Sequence, residues 1–501
     1  MILNGARRTI RQVTIPRVTL AWDALVDVDV VGPGPLHERL TRALRQAIRD
    51  GRLPPGAALP PSRTLAANLG CSRWVVTQAY GQLVAEGYLT ARTGSATRVR
   101  ELEPTSTSGT PRVGAPAAPG AGGTGARPGS LPPRPERTFR LDFAPGLPDL
   151  RAFPRRRWVE AVRSQLATLP YTELGYPPEG GCARFRWVLA DYLRRCRGAQ
   201  VDGDDVTCCA GVADGVARLA RCLREAGIRR IAVEDPGWTR LRQTLERVGL
   251  ETVGVPVDDR GIRVDELVRL DVRAVLVTPA HQFPTGVVLA PERRTALLTW
   301  AREVDGLVLE DDYDAEFRYD RRPVGTLQGT DPERVALFGS LSKTLSPAVG
   351  LGWMVTPPRW TRALRASEVG QTQPSVLQQL AFAHFVETGG YDRHLRSVRQ
   401  RYRHRRDALV AALRTRLPEC AIAGVAAGLH IVLHLPPAAS AATVVKNAAD
   451  AGVRVADLDT YRIHPDPTSP GLVLGYGNLP DSAVDEAVRL LAMAVHRATG
   501  P

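Results

Sequence analysis

The chain has 501 residues, a formal net charge of +14 and a pI near 10.0. That length allows two or three domains with large cores, and the charge favours an anionic partner, nucleic acid ahead of a membrane surface. No stretch approaches the roughly 18 apolar residues of a membrane span, and MILNGARRTIRQV lacks the apolar core of a signal peptide, so a soluble cytoplasmic protein is expected. Seven scattered cysteines without paired C-x-x-C spacing predict neither a disulfide framework nor a metal site, and Cys208-Cys209 reads as strand packing.

Residues 1–34 read as an N-terminal extension without an assigned function. Residues 35–101 follow a helix-turn-helix pattern. Leu36, Leu40, Leu44 and Ile48 share one helical face, with Gly51 as a stop. Ser62 is placed to cap a two-turn helix ending at Gly70, and Ser72 to cap a third. In the third helix Val76, Ala79, Leu83 and Val84 are expected inside, with Arg73, Trp74, Thr77 and Gln78 outside. After Gly87, residues 88–99 read as a hairpin with a glycine tip, a wing.

The third helix would enter a DNA major groove with Ser72, Arg73, Trp74 and Thr77 near the bases, while Ser62, Arg63, Thr64 and the wing residues Arg92 and Ser95 would meet phosphates or a minor groove. A helical protein–protein module is the competing reading. The words GRLPPG at 51–56, LPPSRTLAANLGCSR at 59–73 and AYGQLVAEGYL at 79–89 resemble the GntR family of winged-helix regulators. Val75, where the family often has Thr, and Ala96, where a second Gly is usual, depart from its pattern.

Residues 102–138, rich in Pro, Gly, Ala, Ser and Thr, read as a flexible linker, because they offer too little apolar surface to offset ordering entropy. From 139 to 501, short apolar runs alternate with helix-length segments, which predicts an α/β domain with a mainly parallel sheet. Four runs end in polar clusters: Arg230–Val233 before Glu234 to Trp238, Ala274–Val277 before Thr278 to Gly286, Leu307–Leu309 before Glu310 to Asp314, and Val335–Phe338 before Gly339 to Lys343. In a parallel sheet such loops gather in one ligand-binding crevice.

Lys343 is one of only two lysines in an arginine-rich chain; the other is Lys446. A guanidinium stays protonated, whereas an amine of lowered pKa can form a Schiff base, so Lys343 is a candidate anchor for pyridoxal 5'-phosphate. Asp311 would pair with the pyridinium nitrogen, Tyr313 with the ring phenolate oxygen, and Trp238 would stack on the ring. The amides of Gly211, Val212 and Ala213, opening a helix after the strand Val206–Cys209, would hold the phosphate with the Ser340 hydroxyl. Adjacent residues near a strand end point opposite ways, so Asp311 and Asp312 remain alternatives.

Residues 139–490 resemble the fold-type I aminotransferase domain of the MocR subfamily of GntR regulators. The matching words are FAPGLPDLRAFP at 143–154, VEDPGW at 233–238, TPAHQFPTG at 278–286, EDDYDAEFRYDRRPVGTLQG at 310–329 and SLSKTL at 340–345. The resemblance implies a multidomain chain in which a winged helix-turn-helix (α+β) is joined to an α/β transferase-like domain with a small C-terminal subdomain. It also implies a head-to-tail homodimer, double-stranded DNA as partner and sensing of pyridoxal phosphate or an amino compound. Gly350 stands where the subfamily usually has a phosphate-clamping Arg, and Arg240 is a candidate for an effector carboxylate, with Arg462 near the C-terminus. Two other readings stay open: a working aminotransferase with a DNA tether, and a regulator whose large domain has lost the cofactor.

Overall fold

The computed structural model describes residues 35–86, 88–91, 96–99, 139–319, 324–367 and 373–499. Contacts divide the chain into two units, Met1–Pro104 and Thr105–Pro501.

In the first unit, α1 (Leu36–Arg49), α2 (Ser62–Asn68) and α3 (Arg73–Ala85) precede β1 (Leu89–Thr90), which pairs antiparallel with β2 (Arg98–Val99). Leu40, Leu44, Leu65, Val76, Ala79 and Leu83 form one apolar core beneath the three helices. The GRLPPG loop joins the hairpin: Gly56 N–H donates to Val99 O, and Val99 N–H to Ala57 O. Glu86, buried after α3, takes two hydrogen bonds from Arg45 of α1 at 2.6 and 2.8 Å.

Three local expectations need correction. Ser62 is the first helical residue and not a cap, because Pro61, extended at φ −53°, ψ 143°, holds the cap position. Ser72 does occupy the cap position of α3, but its side chain makes no capping bond. Val84 is 37% exposed, since the inward stripe through Val76, Ala79 and Leu83 leaves it at the rim. Gly87, Arg92 and Ser95 lie outside the described residues.

In the second unit, β3 (Leu141–Asp142), α4 (Arg155–Thr168) and α5 (Ala183–Arg197) lead into an eight-stranded sheet. Its members are β4 (Val206–Cys209), β5 (Arg230–Asp235), β6 (Glu251–Asp258), β7 (Gly261–Ile262), β8 (Ala274–Val277), β9 (Leu307–Asp311), β10 (Val335–Ser340) and β11 (Gly352–Val355). The spatial order is β4-β11-β10-β9-β8-β5-β6-β7. Strands β10, β9, β8, β5 and β6 are parallel; β11 runs against both β10 and β4, and β7 against β6.

The crossovers are α6 (Val212–Glu225), α7 (Thr239–Val248), α8 (Val264–Leu267) and α9 (Pro291–Glu303). Strands buried on both faces, such as β8 and β10, are apolar without alternation, as helices on both sides of a parallel sheet require. Cys208 and Cys209 are buried in β4 and unpaired.

Beyond α10 (Pro358–Ser367), α11 (Val376–Glu387) and the 27-residue α12 (Gly390–Arg416) comes a small subdomain. It contains β12 (Ala421–Ala423), β13 (His430–His434), α13 (Ala441–Asp450), β14 (Val453–Arg454), β15 (Ala456–Asp457), β16 (Gly471–Gly475) and α14 (Val484–Thr499). Its antiparallel sheet has the order β12-β13-β16-β15, while β14 pairs in parallel with β3. No helix among the described residues is long and apolar enough to cross a membrane.

Candidate cofactor pocket and nucleic-acid interface

The C-terminal ends of β5, β8, β9 and β10 bring Trp238, Phe283, Asp311, Tyr313 and Lys343 into one group. Lys343 sits in the turn after β10, where its Nζ donates to Gly146 O at 2.5 Å and lies 4.7 Å from the centre of the Trp238 ring. Burial, reinforced by the Arg240 charge and opposed by Asp311 and Asp314, lowers its pKa to about 8. Such an amine has a substantial neutral fraction near physiological pH. Gly146, at φ +90°, permits this approach: a Cβ there would lie 2.9 Å from Trp238 Cη2 and 3.0 Å from Lys343 Nζ.

The three carboxylates at the end of β9 have separate surroundings. Glu310 accepts the amides of Leu327 and Gln328 at 2.9 and 3.0 Å. Asp312 accepts two bonds from buried Arg197, at 2.7 and 2.8 Å. Asp311 is buried, its Oδ1 has no hydrogen-bond partner, and burial pushes its pKa up to about 8 against the pull of Lys343. Strand alternation thus commits Asp312 to one side and leaves Asp311 with an unmet acceptor near the lysine.

The hydroxyl of Tyr313 lies 3.1 Å from His281 Nδ1, and that nitrogen lies 2.9 Å from Asp314 Oδ2. Burial and the adjacent carboxylates of Asp314 and Asp311 raise the Tyr313 pKa, keeping the phenol protonated. Trp238 packs on Phe283 with ring centres 4.5 Å apart. Glu234, behind this wall, accepts from the Thr278 hydroxyl at 2.6 Å, and burial lifts its pKa to about 7.

The opposite end of the group is less equipped. Gly211, at φ +146°, caps α6, whose first turn carries Val212 and Ala213; unpaired first-turn amides suit an anion. However, Asp214 also lies in that turn, accepting the Ala210 amide at 2.9 Å and pairing with Arg218 at 2.9 Å. Buried Ser340 ends β10, its hydroxyl accepting the Ser342 amide at 3.4 Å. Gly350 is exposed at φ +60°, and a Cβ there would meet nothing within 4 Å.

Arg240 is exposed in the first turn of α7, its guanidinium without an ion pair among the described residues. Arg462 is engaged, 3.3 Å from both Asp459 and Asp466.

Sequence reasoning passed over Gly146, Arg197, His281 and Asp314. The words HQF and DYD contained two of them, but only the fold shows that they touch. The nitrogen and oxygen atoms of His281, Asp314 and His430 lie within 4.8 Å of one another. Bonds inside the cluster and from His430 Nε2 to Pro284 O, at 3.0 Å, already use several of those atoms.

On the first unit, Arg73, Trp74, Thr77 and Gln78 lie exposed along one side of α3, and Arg63 and Thr64 are exposed on α2. Arg73 Nε donates to Ser62 Oγ at 3.3 Å, tying the two helices together at this face. Trp74, 59% exposed, meets His37 edge-on with ring centres 5.3 Å apart. A basic side chain, an indole and a hydroxyl at the start of an outward helix are the equipment of a groove reader.

Residues 36–99 match the family described as bacterial regulatory proteins, gntR family, and residues 146–488 match aminotransferase class I and II. The chain is 33% identical over 456 residues to the HTH-type pyridoxine biosynthesis transcriptional regulator PdxR of Corynebacterium glutamicum, covering 89% of this chain and 93% of that protein. It is 32% identical over 472 residues to the probable rhizopine catabolism regulatory protein MocR of Rhizobium meliloti, covering 93% and 94%. Among solved structures, the multiple substrate aminotransferase of Thermococcus profundus superposes with a TM-score of 0.66 at 25% identity, over 72% of this chain and 92% of that one. A gntR-type reading head and an aminotransferase-type body on one polypeptide, matched nearly end to end by such regulators, place this chain in the MocR subfamily of GntR-family transcriptional regulators.

Proposed function

We propose that this regulator binds double-stranded DNA through a reading domain of residues 35–101, carried on a linker of residues 102–138. We further propose that its body, residues 139–501, holds pyridoxal 5'-phosphate as a sensor of the cofactor or of an amino compound. The observation that carries the cofactor reading is the buried, unpartnered Oδ1 of Asp311, close enough to Lys343 for their charges to interact. An orphaned buried acceptor is costly, and a protonated ring nitrogen would satisfy it. When bound, the cofactor supplies an electrophilic carbonyl and an electron-withdrawing ring. Lys343 would hold it covalently, Asp311 would keep its ring nitrogen protonated, Tyr313 would donate to its ring oxygen and Trp238 would cover its face.

Binding becomes a switch only where it favours one arrangement of the chain over another. Arg240, with no competing ion pair among the described residues, is the residue we assign to an effector carboxylate. A homodimer is supported by Tyr171 and Tyr176, which are 86% and 102% exposed beside a hollow of about 620 Å³ that includes no residue of the Lys343 group. A dimer would present two reading domains to paired half-sites. We place the protein in the cytoplasm, where a DNA-binding regulator works.

The test is spectroscopic. Purified protein incubated with pyridoxal phosphate should acquire the visible band of a lysine-bound cofactor, and borohydride should fix the label on Lys343. No band, or a band unchanged in Lys343→Ala, would remove the cofactor from the proposal. Gly350 favours a second reading, a body that retains the fold without the cofactor, because the phosphate end offers backbone amides and one hydroxyl but no arginine at that position.

A further inference from the structure

We propose that His281 and Asp314 form a buried positioning pair for the Tyr313 hydroxyl, and so set how fully that phenol donates to the ring oxygen of a bound pyridoxal group. The inference rests on the cofactor reading above.

The pair is assembled from two strand ends. His281 comes from the loop after β8 and Asp314 from the turn after β9, one residue beyond Tyr313. His281 Nδ1 lies between Asp314 Oδ2 at 2.9 Å and the Tyr313 hydroxyl at 3.1 Å, and the Asp314 carboxylate helps to raise the phenol's pKa. Both side chains are almost fully enclosed, and His281 Nε2 has no partner. A buried acceptor without a partner costs less than a buried N–H without one, so we assign a ring proton to Nδ1, which donates it to Asp314.

Gly428 closes the assembly. At φ +68° it presses so near that a Cβ would stand 2.1 Å from His281 Cε1 and 2.6 Å from Asp314 Oδ2. Its carbonyl accepts the hydroxyls of Tyr319 and Tyr476, each at 2.6 Å. Two tyrosines therefore hold a glycine over the pair and keep water from it. The groups facing Tyr313 are the carboxylates of Asp311, Asp314 and Glu234; His430 stands beside His281, with ring centres 5.1 Å apart, and interacts with Lys343.

A tyrosine used only for packing needs no buried carboxylate. Here Asp314 competes with the phenol oxygen for the Nδ1 proton of His281. With a strong acceptor at 314, that proton stays with the carboxylate, and the phenol donates to whatever oxygen the pocket holds without its support. With a weaker acceptor it turns to the phenol oxygen, making the phenol a stronger donor to the pocket oxygen and stabilising that oxygen's anionic form. The pair acts through Tyr313 and not directly on the bound group.

The experiment uses full-length protein carrying pyridoxal phosphate and follows the pH at which its visible band changes form. Tyr313→Phe should raise that midpoint by about one pH unit and Asp314→Asn should lower it by about half a unit or more, magnitudes expected for one buried hydrogen bond. The double variant should match Tyr313→Phe alone. His281→Asn, whose amide can replace the Nδ1–H donor, should stay near the unmodified protein. An unchanged midpoint in Asp314→Asn, or the same downward shift in the Tyr313→Phe background, would overturn the proposal; the latter would mean that the carboxylate acts directly through its charge. Cofactor-free protein gives an independent readout: a far-downfield imidazole proton in its NMR spectrum, lost in Asp314→Asn. Its absence from the unmodified protein would overturn the pair, whereas absence of the visible band would overturn the cofactor reading.

Discussion

Arg197 and Asp312 form a buried, two-pronged ion pair, with bonds of 2.7 and 2.8 Å, directly behind the pocket that contains Asp311. The pair does more than join α5 to β9. By taking Asp312 out of the pocket, it leaves Asp311 as the carboxylate with an unmet acceptor. Asp312→Asn should strand the Arg197 charge and destabilise the protein by about 3–5 kcal/mol in urea unfolding, the usual cost of breaking a buried pair. Asp311→Asn should cost little stability, because it keeps the side chain's shape and removes a charge that burial disfavours, yet it should weaken pyridoxal phosphate binding. Equal losses of stability in the two variants would contradict this division of labour.

Gly350 allows a gain-of-binding experiment. An arginine there meets no atom at Cβ, although φ +60° is strained for any residue with a side chain. Gly350→Arg should therefore lose about 1 kcal/mol of stability and bind pyridoxal phosphate about tenfold more tightly, through one charge-assisted contact to the phosphate. Affinity unchanged in a titration of the visible band would mean that the phosphate end does not lie beside residue 350.

On the reading domain, Arg63 and Arg73 should behave differently. Arg63→Ala should weaken binding to specific and random DNA alike and reduce the slope of log K against log salt by about one. Arg73→Ala should nearly abolish binding to the operator and narrow the difference between operator and random DNA. Arg73 also bonds Ser62, so Ser62→Ala should show a milder form of the same defect, with Arg73 less well held. Fluorescence anisotropy at several salt concentrations separates these outcomes.

The pattern of this fold was legible where it depends on local chemistry. Apolar runs ending in polar clusters marked β5, β8, β9 and β10, and the crevice at their ends followed from parallel topology. The helices of the first unit followed from apolar spacing, with errors at Ser62 and Val84, where a neighbouring proline and one residue of helical rotation decided the outcome. What remained hidden depends on contacts between distant segments. Nothing near Asp312 in the chain announces Arg197, 115 residues earlier. Nothing near His281 announces Asp314, and the two are joined only because β8 and β9 are parallel neighbours. Gly146 likewise acquires meaning only when Trp238 and Lys343 arrive against it.

Lys343 should itself be a source of instability. Its pKa is lowered from the ordinary lysine value to about 8, mainly by burial, so the folded state resists the charged form more than the unfolded state does. Unfolding therefore takes up a proton between about pH 10.4, the unperturbed lysine value, and about pH 8. The cost to stability is absent above that window, grows as pH falls through it and is fully present below it. Asp311 has the complementary dependence: its pKa, raised to about 8, costs stability that grows as pH rises from the ordinary aspartate range near 4 and is complete above about 8. Lys343→Met removes the first cost while keeping a side chain of similar length. Its Tm should exceed that of the unmodified protein at pH 7, with the advantage shrinking toward zero as pH passes 10. The variant should also lose the borohydride-fixable label. Destabilisation by Lys343→Met across the whole range would mean that the lysine serves the fold, whereas stabilisation together with loss of label is the signature of a group kept for its chemistry.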